Sequence, residues 1–535
     1  MRIDCISADI RAVKADMVVV NLFEGAKRPG GAAAAVDAAI GGAIAAAVRD
    51  GDFAGKLGET LSLRPSRGLS SPRVLVVGLG KKEKFTADHA RQAALPVLKE
   101  AKRMKLSTVA SVVHGAGAGG VDPGTAARFC ALGAALSAFE FDRYKEEKAH
   151  RVARFLFVER DAKAFPSVRA GVSWGARVGE AINWGRSLVA TPPAELRPDD
   201  LARAARGTGR GVGAAAARKV RVRVLGLPEL SALKAGGILA VAKGSPAPPR
   251  LIVLEYRGGR PGAPWTALVG KGVTFDTGGI SLKKWEGMEK MKYDMAGGAA
   301  MLATIRAAAA LGLKRNLVAV VPSVENMPSG TAYRPGDVLR MMSGKTVEIL
   351  STDAEGRLIL ADAMTYAVRK YKPKEMVDAA TLTGACVVAL GSVNIGMMGN
   401  DGGMLSRMKA ASAASGEKAW ELPLHEEYFD QIKSDIGELK NVGGGEAGTI
   451  TAGRFLQEFA GGTPWVHFDI AGTAWVEKEK RGYAPGPSGA PVRLLVEYLS
   501  SRDGRPTPGR NTLPGVPSIM KKWTGTDGGA GGESP

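Results

Sequence analysis

Seven charged residues stand close together in the middle of the chain, within sequence that is otherwise apolar and rich in Gly and Ala. They are Lys271, Asp276, Lys283, Asp294, Asp353, Glu355 and Arg357. Charge is costly to bury unless it is paired or bound to a metal ion. Carboxylates without a nearby His or Cys indicate oxygen ligands for divalent cations, and a pair of cations can polarise a carbonyl and activate a water. The residues alone therefore indicate metal-assisted hydrolysis of a substrate that they leave undetermined.

The spacing of the carboxylates suggests how such a site is built. Asp353 and Glu355 lie two apart, so in an extended segment both side chains point to the same side. Asp276 and Asp294 would supply further carboxylates from separate loops. Oxygen ligands suit Mn²⁺ or Mg²⁺, and also Zn²⁺ in a carboxylate-rich setting. A two-metal hydrolase of another substrate class, such as phosphoesters, stays open at this point.

The three basic residues of the set could have different roles. Lys271 beside a dication would have a lowered pKa, because like charge and desolvation disfavour the ammonium, and its neutral amine could ligate metal. Lys283 and Arg357 could instead stabilise a developing oxyanion or hold an anion that acts as a base.

Alternating strand-like and helix-like segments predict the elements that position this set. In the second half of the chain the predicted strands are 250–256, 266–270, 317–321, 347–350 and 375–380, and the predicted helices are 296–310 and 358–370. This alternation predicts a mostly parallel sheet flanked by helices, with its site beyond the carboxyl ends of strands. Lys271 and Asp276 follow one predicted strand, and Asp353 and Glu355 follow another.

The length of 535 residues predicts two domains. We expect an α/β fold in which each domain has a mostly parallel sheet flanked by helices, with the catalytic domain C-terminal. Residues 1–168 form the predicted N-terminal α/β domain, with helices at 32–48 and 87–104. A linker helix (172–189) and a Pro turn fall in 169–198, the catalytic domain spans 199–501, and 502–535 is a flexible basic tail rich in Gly and Pro.

The composition bears on the binding partners and the cellular location of the protein. The net charge of +20 is compatible with nucleic acid, but the basic stretches 203–223 and 502–522 lack interleaved aromatic residues, so DNA binding is a secondary hypothesis. The three cysteines are widely separated and form no CxxC pair, which favours a reducing cytoplasm over a disulfide framework. The sequence contains neither a long apolar run nor an N-terminal secretory pattern, so we expect a cytoplasmic protein without a membrane span.

At these residues the chain resembles the leucine aminopeptidase (cytosol aminopeptidase) family. Residues 269–283 (VGKGVTFDTGGISLK) and 291–295 (MKYDM) are similar to the metal-binding stretches of the family, and 352–358 (TDAEGRL) to its signature. The resemblance continues through 380–385 and 469–475, and it covers roughly residues 180–500. It implies a two-metal exopeptidase that removes N-terminal residues, often leucine or other apolar ones, from peptides.

The resemblance also implies a role for each ligand. Asp276 and Glu355 would bridge two divalent ions, Mn²⁺ or Zn²⁺. Asp353 would complete the shell of one ion, and Lys271 with Asp294 that of the other.

Further roles follow from the same resemblance. Lys283 would act as the electrophile on the scissile carbonyl, while Arg357 would hold a bicarbonate that serves as base toward a hydroxide bridging the metals. The implied substrate-binding residues are Met291, Thr381, Leu382, Gly384 and Ala474.

The family implies a homohexamer, and some bacterial members bind DNA. Two positions depart from the family pattern: Ser351 stands where Asn is usual beside the signature, and Ala190 replaces an Asn before the Thr-Pro-Pro turn.

Overall fold

The computed structural model describes residues 1–117 and 120–501. The predicted tail at 502–535 lies outside the described residues.

The N-terminal half is built on one six-stranded sheet. Its strands are β1 (Arg2–Ser7), β2 (Met17–Leu22), β3 (Thr60–Leu63), β4 (Val74–Gly78), β5 (Thr108–Val112) and β6 (Arg154–Glu159). Its helices are α1 (Gly31–Ala39), α2 (Ala43–Asp50), α3 (Ala87–Gln92), α4 (Ala94–Arg103) and α5 (Pro123–Ser137). The strand order is β1-β6-β5-β2-β4-β3, and every pair is parallel except β3 with β4. Met17 and Val19 enter one apolar core while Val18 and Val20 enter another, so helices cover both faces.

Two predicted helices of this half are each divided in the structure. The segment 32–48 breaks at Gly41 and Gly42, whose φ angles of 75° and 81° are left-handed and end α1 before α2 begins. The segment 87–104 breaks at Ala93. Pro96 lies in the first turn of α4, where a continuous helix would place its ring against the carbonyl of Gln92.

A long helix, α6 (Phe165–Ala190), connects the two halves. The predicted helix at 172–189 is confirmed, but α6 begins seven residues earlier, so the predicted boundary at 168 falls inside it. Gly171 and Gly175 face α5, and a Cβ at either position would lie 2.2 Å from a backbone oxygen of that helix. The close approach of the two helices therefore requires glycine at both positions.

The C-terminal half contains a nine-stranded sheet and two small ones. Its strands are β7 (Val220–Leu225), β8 (Arg250–Arg257), β9 (Trp265–Gly270), β10 (Gly272–Asp276), β11 (Asn316–Asn326), β12 (Val338–Arg340), β13 (Thr346–Glu348), β14 (Glu375–Ala380), β15 (Ile395–Gly399), β16 (Ala419–Glu421), β17 (Leu439–Lys440), β18 (Trp465–Asp469), β19 (Trp475–Val476) and β20 (Gly486–Pro487). Its helices are α7 (Pro198–Arg206), α8 (Ala214–Ala217), α9 (Leu227–Ala232), α10 (Gly236–Ala242), α11 (Ala296–Leu311), α12 (Glu355–Tyr371), α13 (Gly384–Leu390), α14 (Gly402–Ser415), α15 (Glu427–Asp430), α16 (Gly448–Gln457) and α17 (Val492–Ser500).

The main sheet has the order β16-β15-β18-β14-β9-β11-β8-β7, with β10 paired to β11. The central strands β18, β14, β9, β11 and β10 are mutually parallel, whereas β8 runs antiparallel to both β11 and β7. Residues of α11 pack on one face of the sheet and residues of α12 on the other. The expected α/β fold with two parallel-dominated sheets is thus confirmed.

One predicted strand belongs elsewhere. The segment 347–350 was expected in the main sheet, but β13 pairs with β12 and β17 in a separate three-stranded sheet. Only Val347 of β13 is fully buried, so the strand lacks the apolar faces of a central one. Asp353 and Glu355 therefore do not follow a strand of the main sheet.

Among the described residues, no single helix is both long and apolar enough to cross a bilayer; only α1 and α2 together would reach that length, and they meet at 106°.

Candidate active site

Lys271 and Asp276 lie at the ends of adjoining strands in the centre of the main sheet. Lys271 separates β9 from β10, and Asp276 is the last residue of β10. Both side chains are buried, at 3% and 2% exposure for the residues. A Cβ at Gly356 would lie 2.7 Å from Lys271 Cε, so a side chain at this position of the signature would displace the lysine from its place.

Asp294 reaches the same place from a different element. It follows a 3₁₀ helix, Met288–Tyr293, and one residue, Met295, separates it from α11. Its Oδ1 accepts a hydrogen bond of 2.7 Å from Thr381 Oγ1, just beyond β14. The carboxylate is therefore fixed from the end of another parallel strand.

The signature segment begins a helix instead of continuing a strand. Asp353 lies in a turn and Glu355 is the first residue of α12, so the expectation that an extended segment aims both carboxylates to one side is wrong. The two side chains converge because the chain turns between them. Ser351 Oγ accepts a hydrogen bond from Asp353 N, and Ser351 thus supports this turn.

Two lysines join the carboxylates into one network. Lys271 Nζ lies 2.8 Å from both Asp294 Oδ2 and Glu355 Oε1. Lys283 Nζ lies 2.8 Å from Asp276 Oδ2 and also contacts Asp353. All five predicted metal ligands and Lys283 are therefore brought together.

The donor set fits divalent cations. Single oxygen atoms of Asp276, Asp353 and Glu355 lie within 4.8 Å of one another, which is close enough for a shared ion. Asp294 Oδ2 and Glu355 Oε1 are buried and lie 2.8 Å from the Lys271 amine, but within the described residues they accept no hydrogen bond of good geometry. Buried carboxylate oxygens without aligned donors are available as ligands.

The protein charges act strongly on one another. Burial raises the pKa of Asp353 to about 6 and that of Asp294 well above its usual range, and neighbouring carboxylates add to both effects. Burial opposes the charged form of Lys271 and Lys283, but the surrounding carboxylates outweigh it and raise the pKa of both amines. The expected lowering of the Lys271 pKa is therefore not produced by protein charges; it would require the positive charge of a metal ion.

Arg357 is buried beside this network, and no carboxylate of the described residues lies within 4 Å of its guanidinium nitrogens. Its Nη1 donates a 2.7 Å hydrogen bond to Asn441 O, while its buried Nε donates none within the described part of the chain. Burial lowers the pKa of the guanidinium to about 10, against the opposing charges of Glu355 and Asp469. A buried, incompletely paired guanidinium is suited to binding an anion.

The predicted substrate-binding residues lie on three segments. Thr381 and Leu382 follow β14, and Gly384 begins α13, where a Cβ would meet open space. Leu382 N donates to Asp469 Oδ1 over 3.3 Å. Ala474 is buried in the loop after β18, and Met291 is half-buried in the 3₁₀ helix. Of these five residues, Thr381 is bonded directly to the charged set.

Several residues that hold the site were missed from sequence. Asn326, at the end of β11, donates from Nδ2 to Asp276 Oδ1 over 2.8 Å and to Thr352 O over 3.0 Å. Asp469, at the end of β18, accepts hydrogen bonds from Leu382 N, Thr383 Oγ1 and Ala471 N. Both stand at carboxyl ends of parallel strands, and that placement was the available signal.

Two family models match the chain: the catalytic domain of the cytosol aminopeptidase family over residues 183–496, and the N-terminal domain of the same family over residues 19–148. The probable cytosol aminopeptidase of Geotalea uraniireducens (strain Rf4) is 44% identical over 468 residues, which cover 87% of this chain and 92% of that protein. The corresponding protein of Ralstonia pickettii (strain 12J) is 42% identical over 506 residues, or 94% and 98% of the two chains.

Solved structures are also similar to this chain over most of its length. The bottromycin maturation enzyme BotP in complex with Mn superposes with a TM-score of 0.80 at 32% identity, covering 91% of this chain and 99% of that one. A mutant of tomato leucine aminopeptidase superposes with a TM-score of 0.81 at 28% identity, covering 93% and 96%. The chain therefore belongs to the cytosol aminopeptidase family and is a metal-dependent aminopeptidase that acts on peptides.

Proposed function

We propose that the enzyme releases leucine and other apolar N-terminal residues with two divalent ions, Mn²⁺ or Zn²⁺, held by the charged set. The observation that carries the proposal is the convergence of the Asp276, Asp353 and Glu355 oxygens within 4.8 Å. Glu355 and Asp294 both contact Lys271 Nζ. Glu355 therefore lies between the pair Asp276 and Asp353 on one side and the pair Lys271 and Asp294 on the other.

This arrangement supports an assignment of ligands. Asp276 and Glu355 would bridge the two ions, Asp353 would complete one shell, and Lys271 with Asp294 would complete the other. When bound, the ions supply a polarised substrate carbonyl and a water of lowered pKa. Lys271 would then ligate as a neutral amine, its proton having been displaced by the ion.

Lys283 is the residue that we propose acts on the substrate. Its side chain is 24% exposed, against 4% for Lys271, so its ammonium reaches the open side of the site. The neighbouring carboxylates raise the pKa of Lys283 and keep the amine charged. We propose that it donates a hydrogen bond to the scissile carbonyl oxygen and stabilises the oxyanion.

Arg357 would hold a bicarbonate ion, whose chemistry is to accept the proton of the attacking water. The Nε of this buried guanidinium, which donates no hydrogen bond to the residues in 1–117 and 120–501, supports the assignment. We expect added bicarbonate to raise the activity of the native enzyme in carbonate-free buffer and to leave an Arg357→Ala variant unchanged. An equal response of both proteins would contradict the role of Arg357.

Met291, Thr381 and Ala474 would form the walls of the pocket for the side chain of the substrate's N-terminal residue. The backbone at Leu382 and Gly384 would position the peptide. The Thr381 hydroxyl is occupied by Asp294, which leaves its methyl group for an apolar substrate. Turnover of leucine, alanine, lysine and glutamate anilides, with Mn²⁺ and with Zn²⁺, tests this preference. Faster cleavage of charged residues than of leucine would refute it, and turnover of a phosphoester in place of anilides would refute the peptidase assignment.

A homohexamer is our proposal for the assembly. Three exposed valines that follow the substrate-binding segment 381–384 support a contact between subunits. Val387, Val388 and Val393 are 43%, 89% and 39% exposed. Light scattering should give six times the mass of one chain, and Val388→Glu should lower the measured mass.

We further propose a cytoplasmic location and a domain boundary near residue 168. DNA binding, with which the net charge of +20 is compatible, is a secondary hypothesis that a filter assay across salt concentrations tests.

A further inference from the structure

A large cavity lies between the N-terminal half and the catalytic half. Its volume is about 1070 Å³, at the upper end of the range for small-molecule sites. Residues 83–92 line one side, and parts of the segments 409–420 and 473–483 line the other. None of the seven charged residues of the candidate active site lines it. The cavity is therefore distinct from the place where peptides would be cleaved.

Two buried arginines line this cavity. Arg91 and Arg493 are 1% and 6% exposed, and both guanidinium groups stack on the ring of Tyr483, at 4.8 and 5.7 Å from its centre. Both also contact Asp88. Even so, Arg91 Nη1 is buried and donates no hydrogen bond within the residues that the structure describes, and the buried Arg493 Nε has Glu417 Oε1 at 3.6 Å, beyond hydrogen-bond distance. A buried donor without an acceptor is costly, and an anion in the cavity would supply acceptors.

The remaining lining is cationic and aromatic. Seven Lys and Arg side chains line the cavity against three carboxylates. Among the described residues, no carboxylate lies within 4 Å of the amine of Lys418 or Lys480, although Lys480 donates to Ser392. Phe85 and Trp475 add apolar surface to the wall. The lining thus combines excess positive charge with aromatic faces.

We propose that this cavity binds a small organic anion. Its charged groups would accept hydrogen bonds from Arg91 and Arg493 and face the amines of Lys418 and Lys480. Its apolar part would pack against Phe85 and Trp475. The proposal does not depend on the metal-site assignment, because the two sites share no residue.

Titration calorimetry of the metal-loaded enzyme with benzene-1,3-disulfonate, an aromatic dianion that ligates metals poorly, tests the proposal. We expect saturable binding of one molecule per chain, weakened at least tenfold by Arg493→Met and severalfold by Lys418→Met. Ala413→Trp, which fills the cavity from an exposed helix position, should abolish binding without removing an arginine. Lys433→Met, at an exposed ion pair outside the cavity, should leave binding unchanged.

The neutral analogue 1,3-bis(methylsulfonyl)benzene should bind at least tenfold more weakly than the dianion. Absence of saturable binding would overturn the proposal. So would binding that survives both Ala413→Trp and Lys418→Met, or that is lost in Arg357→Ala and retained in Arg493→Met, because the anion would then occupy the active site. If Arg493→Met does not fold, the Ala413 and Lys418 variants decide.

Discussion

Replacing Thr352 with valine should loosen the active site without touching a proposed metal ligand. Thr352 is fully buried, and its Oγ1 donates to Gly278 O over 2.6 Å and accepts from Ser281 N over 2.8 Å. The hydroxyl therefore ties the signature turn to the loop between Asp276 and Lys283. Valine has nearly the same shape but offers neither a donor nor an acceptor.

The expected cost follows from those two contacts. Each buried backbone group left without a partner costs about 1–3 kcal/mol, so the loss of both contacts in Thr352→Val should lower the free energy of unfolding by about 2–6 kcal/mol. Thr304→Val is the matched control. Thr304 is also fully buried, but its hydroxyl donates to Ala300 O within α11, where a carbonyl already accepts a helical N–H. Its replacement should therefore cost about 1 kcal/mol or less.

Urea unfolding at matched protein and Mn²⁺ concentrations measures the difference between the variants, and leucine anilide turnover measures its effect on the site. We expect Thr352→Val to lower kcat as well, because the loop that carries Lys283 loses its anchor, while Thr304→Val keeps the native kcat. Equal losses of stability in the two variants, or a native kcat in Thr352→Val, would refute this explanation.

Four further predictions concern the site itself. Lys283→Met should lower kcat at least about 100-fold with KM changed only a few-fold, because the ammonium acts on developing charge; bound metal, counted by mass spectrometry, should stay native. Because the pKa of Asp353 in the metal-free protein is about 6, its proton competes with metal, and the apparent Mn²⁺ affinity should fall at least about tenfold from pH 7 to pH 5 in a calorimetric titration. The folded state holds that proton more tightly than the unfolded chain does, so this group should make the metal-free protein less stable in thermal scans as pH rises from 4 through 6; the opposite slope would contradict the assignment. Asp469→Ala should raise KM more than it lowers kcat, since Leu382 and Thr383 lose an acceptor while the metal ligands keep theirs, and a pure kcat effect would argue against a positioning role.

The sequence predicted the site more completely than the path of the chain through it. The types and spacing of Lys271, Asp276 and Glu355 sufficed to expect one cluster, because charge within apolar sequence requires partners. The backbone was harder to predict, since the segment 347–350 (VEIL) resembles a short buried strand in sequence, and its pairing shows that it belongs to a separate sheet. Periodicity likewise missed the break in 32–48, where two glycines interrupt an alanine-rich run that is otherwise helical.

The supporting residues could not be found by the same reasoning. Asn326 and Asn441 are single amides far from the signature in sequence, and their roles depend on distances that only the folded sheet sets. Asn441 Oδ1 accepts from Leu350 N over 2.8 Å, and its Nδ2 donates to Ser351 O over 2.6 Å. These bonds hold the turn before Asp353.

Metal content tests the central claim most directly. The native enzyme, loaded with Mn²⁺ and freed of excess ion, should carry two ions per chain by inductively coupled plasma mass spectrometry and lose its activity when chelator removes them. Glu355→Gln should carry fewer than two ions and be inactive, while Glu421→Gln, at an exposed ion pair, should match the native enzyme. Full activity in Glu355→Gln or in the metal-free protein, or a native enzyme that holds no more than one ion when fully active, would contradict the two-metal account.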